Sequence, residues 1–282
     1  MKTIADTMGV SRSRQHEKKK QGGSSRKRYY TKAEDHGYLS LIRQITDERS
    51  TYGYRRVTAL VNRHLEQHNH RRVNPKRIYR IMKMHNLLLQ RYTGRPARLH
   101  EGIIMMKRSN LRWCSDVFEI ACWNGDRIRV AFSMDCCDRE VMSYIATTGG
   151  ISGDMVRDLM AESVESRFGR VDHLPHRVQW LSDNAPSYIA RETRNFAQML
   201  GMDVCTTPYY SPESNGMAES FVKTFKRDYV HMNVLTDAIT VMKQLPAWFA
   251  DYNENHPHKG LKMMSPREYR FNQNKLDQCP VK

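Results

Sequence analysis

The sequence predicts an α/β fold, a mixed five-stranded sheet flanked by helices, preceded by a small all-helical unit. Three observations predict it. Up to about residue 90, apolar residues recur with a helical period. From residue 111 the pattern changes to short alternating runs, which then alternate with amphipathic helices. Charge divides at the same place. Residues 1–110 hold 26 Lys+Arg against 8 Asp+Glu, a net of +18, while residues 111–282 hold 20 against 22, a net of −2.

Composition narrows the function. The chain has 282 residues, enough for two domains and a tail. No run of about 18 apolar residues exists, so no membrane helix is expected. The N-terminus is polar and basic, unlike a signal peptide, and the protein is expected in the cytoplasm. All six cysteines lie at or after Cys114 and none forms a CxxC pair, so they read as reduced small hydrophobes. Without an early cysteine, His64, His68 and His70 cannot assemble the usual zinc set. A basic excess so concentrated repels itself unless a polyanion is present, which points to nucleic acid.

The elements follow in order. Ile4-Ala5-Asp6-Thr7-Met8-Gly9-Val10-Ser11-Arg12-Ser13 is similar to the second half of a helix-turn-helix, and a basic arm follows through residue 28. Residues 32–49 read as a helix with Leu39, Ile42 and Ile45 on one face. A second runs from about Gly53 to Leu65. The third has Asn74 as N-cap and Pro75 at its first position, with Ile78 and Met82 inward. Lys76, Arg80 and Lys83 share its other side within about 60°, at about 100° per residue. Gly94, Pro96 and Gly102 mark a linker. Leu111–Ile120 is strand-like, Asn124-Gly125 signals a hairpin, and Ile128, Val130, Phe132 and Met134 alternate. A third strand lies near Val141–Thr147. Residues 153–168 form a helix capped by Gly169. Val178–Leu181 is a short strand, residues 187–200 a helix closed by Gly201, and Val204–Thr207 a last strand. A final helix is expected from Ser211-Pro212 to about Tyr229.

Three carboxylates stand out in this frame. Asp116 lies on the first strand, Asp183 just past the end of the fourth, and Glu219 on the helix after the fifth. Strand ends in α/β sheets face the crevice where ligands bind. On the helix, Glu219, Lys223 and Lys226 form one polar stripe. Brought together, three carboxylates suit two hard divalent cations about 3.5–4 Å apart, an arrangement for phosphoryl transfer that needs neither Cys nor His. Asp135 and Glu213 are second choices, because one suits a strand end and turn and the other a helix start. His256-Pro257-His258 reads as a structural turn. Tyr209 and Tyr210 could pack on DNA or on the core.

Arg112-Trp113-Cys114-Ser115-Asp116, Leu181-Ser182-Asp183-Asn184 and Ser211 to Phe221 occur in order, with 35 residues between Asp183 and Glu219. Thr51 to Val57, Lys76 to Met82, Tyr252-Asn253, His256-Pro257-His258 and Ser265-Pro266-Arg267-Glu268-Tyr269 accompany them. With these motifs the chain resembles the OrfB transposases of bacterial insertion sequences, whose catalytic core is similar to retroviral integrase. The resemblance implies an RNase H-like core and a D,D(35)E transposase that cleaves element ends and transfers the cut strand. It implies Asp116, Asp183 and Glu219 as the metal-binding triad, with two Mg²⁺ ions (Mn²⁺ a possible substitute). Lys223, Lys226, Lys76, Arg80, Lys83, Arg55 and Arg56 are the expected DNA contacts. Double-stranded DNA, as terminal inverted repeats and target, is the expected partner, with a homo-oligomer on DNA and a location at the bacterial nucleoid. The resemblance also implies synthesis as a frameshift fusion with an upstream frame, in keeping with the half motif at residues 4–13. The expected division is 1–30 partial motif and arm, 31–92 helix-turn-helix-like domain, 93–108 linker, 109–272 catalytic core with C-terminal helices, and 273–282 tail. A non-enzymatic DNA-binding regulator and a different RNase H-like nuclease remain the alternatives.

Overall fold

The computed structural model describes residues 34–90, 106–169, 173–207 and 215–278. The segment 4–28, most of the linker, Tyr209, Tyr210 and Glu213 lie outside the described residues.

Three helices come first: α1 (Asp35–Glu48), α2 (Tyr54–Gln67) and α3 (Pro75–Met84). Asn74 caps α3 as its sequence predicts, accepting from the Lys76 N–H at 2.9 Å with Pro75 at the first position. Leu39, Ile42, Val57, Val61, Ile78 and Met82 form the small core between them.

The second part is a five-stranded sheet in the order β3-β2-β1-β4-β5. Its strands are β1 (Arg112–Ala121), β2 (Arg127–Asp135), β3 (Val141–Thr147), β4 (Val178–Ser182) and β5 (Met202–Thr206). β1, β2 and β3 are antiparallel, and β4 and β5 run parallel to β1. The β1–β2 turn uses Gly125 at φ +93°, a conformation that disfavours any residue with a Cβ. Helix α4 (Gly153–Phe168) starts on the Ser152 side chain and stops at Gly169 with φ +71°. Two helices, α5 (Pro186–Ile189) and α6 (Arg191–Met199), lie between β4 and β5. The last three are α7 (Gly216–Asp228), α8 (Ala238–Glu254) and α9 (Pro266–Gln278).

Helices cover both faces of the sheet. Val156, Leu159, Tyr188 and Ala197 from α4, α5 and α6 pack on one face with Trp113 and Trp180. Phe221 and Phe225 of α7 and Trp248 and Phe249 of α8 pack on the other with Phe118 and Phe132. A fully buried Phe contributes roughly 1.5–3 kcal/mol, so this aromatic group fixes α7 against β1 and β2.

One expectation changes. Residues 187–200 form two helices, broken at Ala190, whose ψ of 140° is extended. The buried Thr193 hydroxyl holds the break by donating to the Ser187 carbonyl at 2.9 Å. The helix expected from Ser211-Pro212 is α-helical from Gly216, and its expected start lies outside the described residues.

The helical unit also grips the sheet domain, which no local pattern announces. Arg49 forks onto both oxygens of Asp251 at 2.5 Å, and Arg56 reaches Asp228 at 3.0 Å. The Tyr52 hydroxyl meets His256 Nδ1 at 2.8 Å, and Arg63 pairs with Glu268 at 2.6 Å. Burial and the nearby arginines hold His256 well below the ordinary histidine value, so it stays neutral there. Glu268 also explains its motif. Its carboxylate accepts from the Ser265 N–H at 2.8 Å while the Ser265 hydroxyl accepts from the Glu268 N–H, a capping box that starts α9 with Pro266.

Candidate functional site

Asp116 and Asp183 follow the same parallel strand pair. In the pairing of β1 and β4 the last partners are Cys114 and Leu181, and Asp116 and Asp183 each lie two residues further on, Asp183 just past the end of β4. Successive strand residues alternate faces. Asp116 therefore shares its face with Cys114 and Phe118, the face covered by α7. Glu219 stands on the first turn of α7.

The electrostatics link the three. Burial pushes the Asp116 carboxyl up to about 6, and the charges of Asp183 and Glu219 push in the same direction. Among the described residues, the N–H of Val117, donating at 2.8 Å, pulls it back. Asp183 accepts from the Ala185 N–H at 3.2 Å. Among the described residues, no Lys, Arg or His forms an ion pair with Asp116 or Asp183. Glu219 has Lys223 at 3.6 Å, one turn along the helix, an exposed pair of small energetic weight. Lys226 lies with its ammonium 5.9 Å from the centre of the Phe118 ring, two residues beyond Asp116 on the same strand face. The stripe of Glu219, Lys223 and Lys226 is thus one surface of α7, with Lys226 turned toward β1.

The donors are hard carboxylate oxygens, the type that Mg²⁺ and Mn²⁺ take. They share one electrostatic field but are not drawn into a finished shell. Among the described residues, no three His, Cys, Asp or Glu side chains are grouped tightly enough to hold a metal ion.

The rival acids are placed otherwise. Asp135, at the end of β2, is fully buried and accepts from the N–H groups of Asn110, Cys137 and Asp138 at 2.6, 2.7 and 3.0 Å. His256 and His258 are buried among Tyr52, Tyr229 and Tyr252, and burial pushes His258 down to about 2. The rings of His64 and His68 lie 4.4 Å apart, tilted by 37°, at the C-terminal end of α2.

The expected DNA contacts divide. Arg55, Lys76, Lys83 and Lys223 are exposed, and Lys226 is half-buried. Arg56 and Arg80 are a correction to the solvent-facing picture. Arg56 pairs with the buried Asp228, and Arg80 pairs with Asp35 at 2.5 Å, where Arg77 also binds at 2.6 Å. Helical periodicity assigns Arg80 to the basic side of α3, but a carboxylate on α1 takes its guanidinium.

Three residues near the site have polar roles that sequence reasoning missed. The Ser115 hydroxyl meets the Tyr188 hydroxyl at 2.7 Å, and the Asn215 amide donates to the Ser115 carbonyl at 3.3 Å. The only available signal was a polar residue in a strand position that burial would give to an apolar one.

Comparison with known proteins accords with this architecture. The Integrase core domain family matches residues 106–212 and again 200–266, and the HTH-like domain family matches residues 32–95. The chain is similar to the Escherichia coli transposase InsD for insertion element IS2A/D/F/H/I/K, 49% identical over 239 residues, covering 84% of this chain and 79% of that one. A similar solved structure is the simian T-cell lymphotropic virus intasome in complex with the PP2A regulatory subunit B56 gamma. It is 16% identical with a TM-score of 0.49, covering 82% of this chain and 74% of that one. The catalytic domain of the Mos1 mariner transposase is 19% identical with a TM-score of 0.44, covering 59% and 77%.

Proposed function

The chain belongs to the insertion-element transposases with an integrase core, and from that premise we propose that Asp116, Asp183 and Glu219 form a D,D(35)E site that cleaves element ends and joins them to target DNA. The observation that carries this reading is placement: Asp116 lies on the face of β1 covered by α7, Glu219 stands on the first turn of α7, and Asp183 follows β4, the strand beside β1. The charges of Asp183 and Glu219 both reach Asp116, which has no cationic partner among the described residues, an arrangement that cations would complete.

Asp116, Asp183 and Glu219 would hold two Mg²⁺ ions, or Mn²⁺, whose chemistry is to polarise the attacking and leaving oxygens of a phosphodiester. The remaining work falls to the chain itself. Lys226, over Phe118, and the exposed Lys223 are placed to hold the phosphate backbone of the reacting strand. The exposed Lys76, Lys83 and Arg55 offer the helical unit a surface for duplex DNA. The clasp of Arg49, Tyr52 and Arg56 on Asp251, His256 and Asp228 keeps that surface at a set distance from α7. Terminal inverted repeats and target DNA are the substrates in this reading, and two ends held together call for at least a dimer on DNA. The division at 31–92 and 109–272 belongs to the same proposal.

The experiment uses a labelled end duplex, a plasmid target and Mg²⁺. Asp116→Asn, Asp183→Asn and Glu219→Gln should each lower strand cleavage by about 10³-fold or more, with end-duplex binding retained. Cleavage by Asp183→Asn at the wild-type rate would overturn the assignment. Binding without any nicking by the wild type would favour a regulator. Nicking without strand transfer or end dependence would favour another nuclease of this fold.

A further inference from the structure

The backbone ladder between β1 and β4 runs from Arg112↔Gln179 to Cys114↔Leu181 and goes no further. Asp116 and Asp183 both lie beyond it. Asp116 stays in the sheet through its pairing with Phe132 of β2, but Asp183 lies past the last β1–β4 pair, so the ladder does not hold the two carboxylates to each other. Something else must keep them, and the start of α7, at a fixed separation.

Ser115 is the first residue past the ladder on β1. Its hydroxyl meets Tyr188 of α5, five residues after Asp183. Its carbonyl accepts from Asn215, which immediately precedes α7, four residues before Glu219. One residue of β1 thus reaches both the short helix that follows Asp183 and the residue that leads into the helix bearing Glu219. Ser115 is 0% exposed, Tyr188 2% and Asn215 7%, so water does not compete for these bonds. Burial above all, then the charges of Asp116 and Asp183, keeps the Tyr188 hydroxyl protonated. Alanine and phenylalanine would fill much the same space at residues 115 and 188 without a buried polar atom, so the hydroxyls need a reason beyond packing.

We infer that Ser115, Tyr188 and Asn215 are positioning residues that hold the spacing of Asp116, Asp183 and Glu219. The inference rests on the assignment of those three as the reacting site. None of the positioning residues is assigned contact with DNA. They act through the backbone on which the carboxylates stand, as a supporting layer does for ligands set on separate elements.

The test uses the full chain with Ser115→Ala, Tyr188→Phe, Ser115→Ala/Tyr188→Phe and Asn215→Asp, beside wild type and Asp183→Asn. Four quantities are measured: melting temperature, end-duplex binding, Mn²⁺ binding by electron paramagnetic resonance, and cleavage of an end duplex. Each single variant should lose about tenfold in cleavage and weaken Mn²⁺ binding about threefold or more. End-duplex binding should be retained, with melting lowered by no more than a few degrees. Ser115→Ala/Tyr188→Phe should be no worse than the worse single variant, since both remove one bond. Mn²⁺ affinity and cleavage at wild-type levels in Ser115→Ala and Tyr188→Phe would overturn the inference. So would losses that simply follow the melting temperature. If Asp183→Asn still cleaves, the site assignment fails and the inference with it. If Asp183→Asn is inactive and the hydroxyl variants match wild type, the positioning role alone fails.

Discussion

Two groups of three carboxylates lie in the same domain and meet opposite fates. Asp135, Asp138 and Glu140 join β2 to β3 and are almost wholly buried. The Arg167 side chain, 1% exposed, stands 3.0 Å from Asp138 and 2.7 Å from Glu140, and Arg267 and Arg270 add contacts to Glu140 at 3.1 and 3.0 Å. Backbone N–H groups take up much of what remains on Asp135 and Asp138. Asp116, Asp183 and Glu219 are less buried, yet among the described residues they have only two local N–H groups and one exposed lysine between them. Burial therefore does not mark a site. Compensation distinguishes the groups: three arginines stand against the first, although burial and Asp138 still push Asp135 up to about 6, while among the described residues the second has a cation only at Glu219.

The comparison can be broken at either group. The largest effect on stability belongs to the scaffold. Arg167→Met keeps much of the volume but leaves three buried carboxylates without their central cation. It should cost about 3–5 kcal/mol, read by urea unfolding at pH 7. A cost below about 1 kcal/mol would put the two groups on one footing.

A smaller effect of opposite sign is expected at the site. The Asp116 carboxyl is raised from 3.8 to about 6, so the folded state binds its proton more tightly than the unfolded state does. Stability from this group is present below about pH 4 and is lost as pH rises through 6. In chelator, Asp116→Asn should lack that loss and be more stable than wild type at pH 7 by roughly 1–3 kcal/mol. Unfolding at several pH values checks it, and parallel profiles for the two proteins would count against the uncompensated field.

The smallest effect is the control. Arg127 pairs with Glu119 at 2.9 Å on an exposed strand surface. Arg127→Ala should change stability by less than about 0.5 kcal/mol. A loss near that of Arg167→Met would mean that counting ion pairs, rather than their burial, governs this molecule.

Local periodicity determined much of the architecture. The Asn74 cap, the stop at Gly169, the alternation through β2 and the common stripe of Glu219, Lys223 and Lys226 are consequences of residues a few positions apart. The three motifs carried the family in the same way, because each is short and contiguous. Tertiary structure decided what depends on residues far apart in sequence. Arg56 meets an aspartate 172 positions away, and Asn215 reaches a carbonyl 100 positions away. Neither distance leaves a periodic trace. The break at Ala190 is likewise invisible in a stretch that suits one helix, since it follows from where Tyr188 and Thr193 must reach. Spacing along the chain fixes which face of an element a side chain occupies. Only the returning chain determines what charge or hydrogen bond awaits it there, and so which carboxylates find buried arginines and which do not.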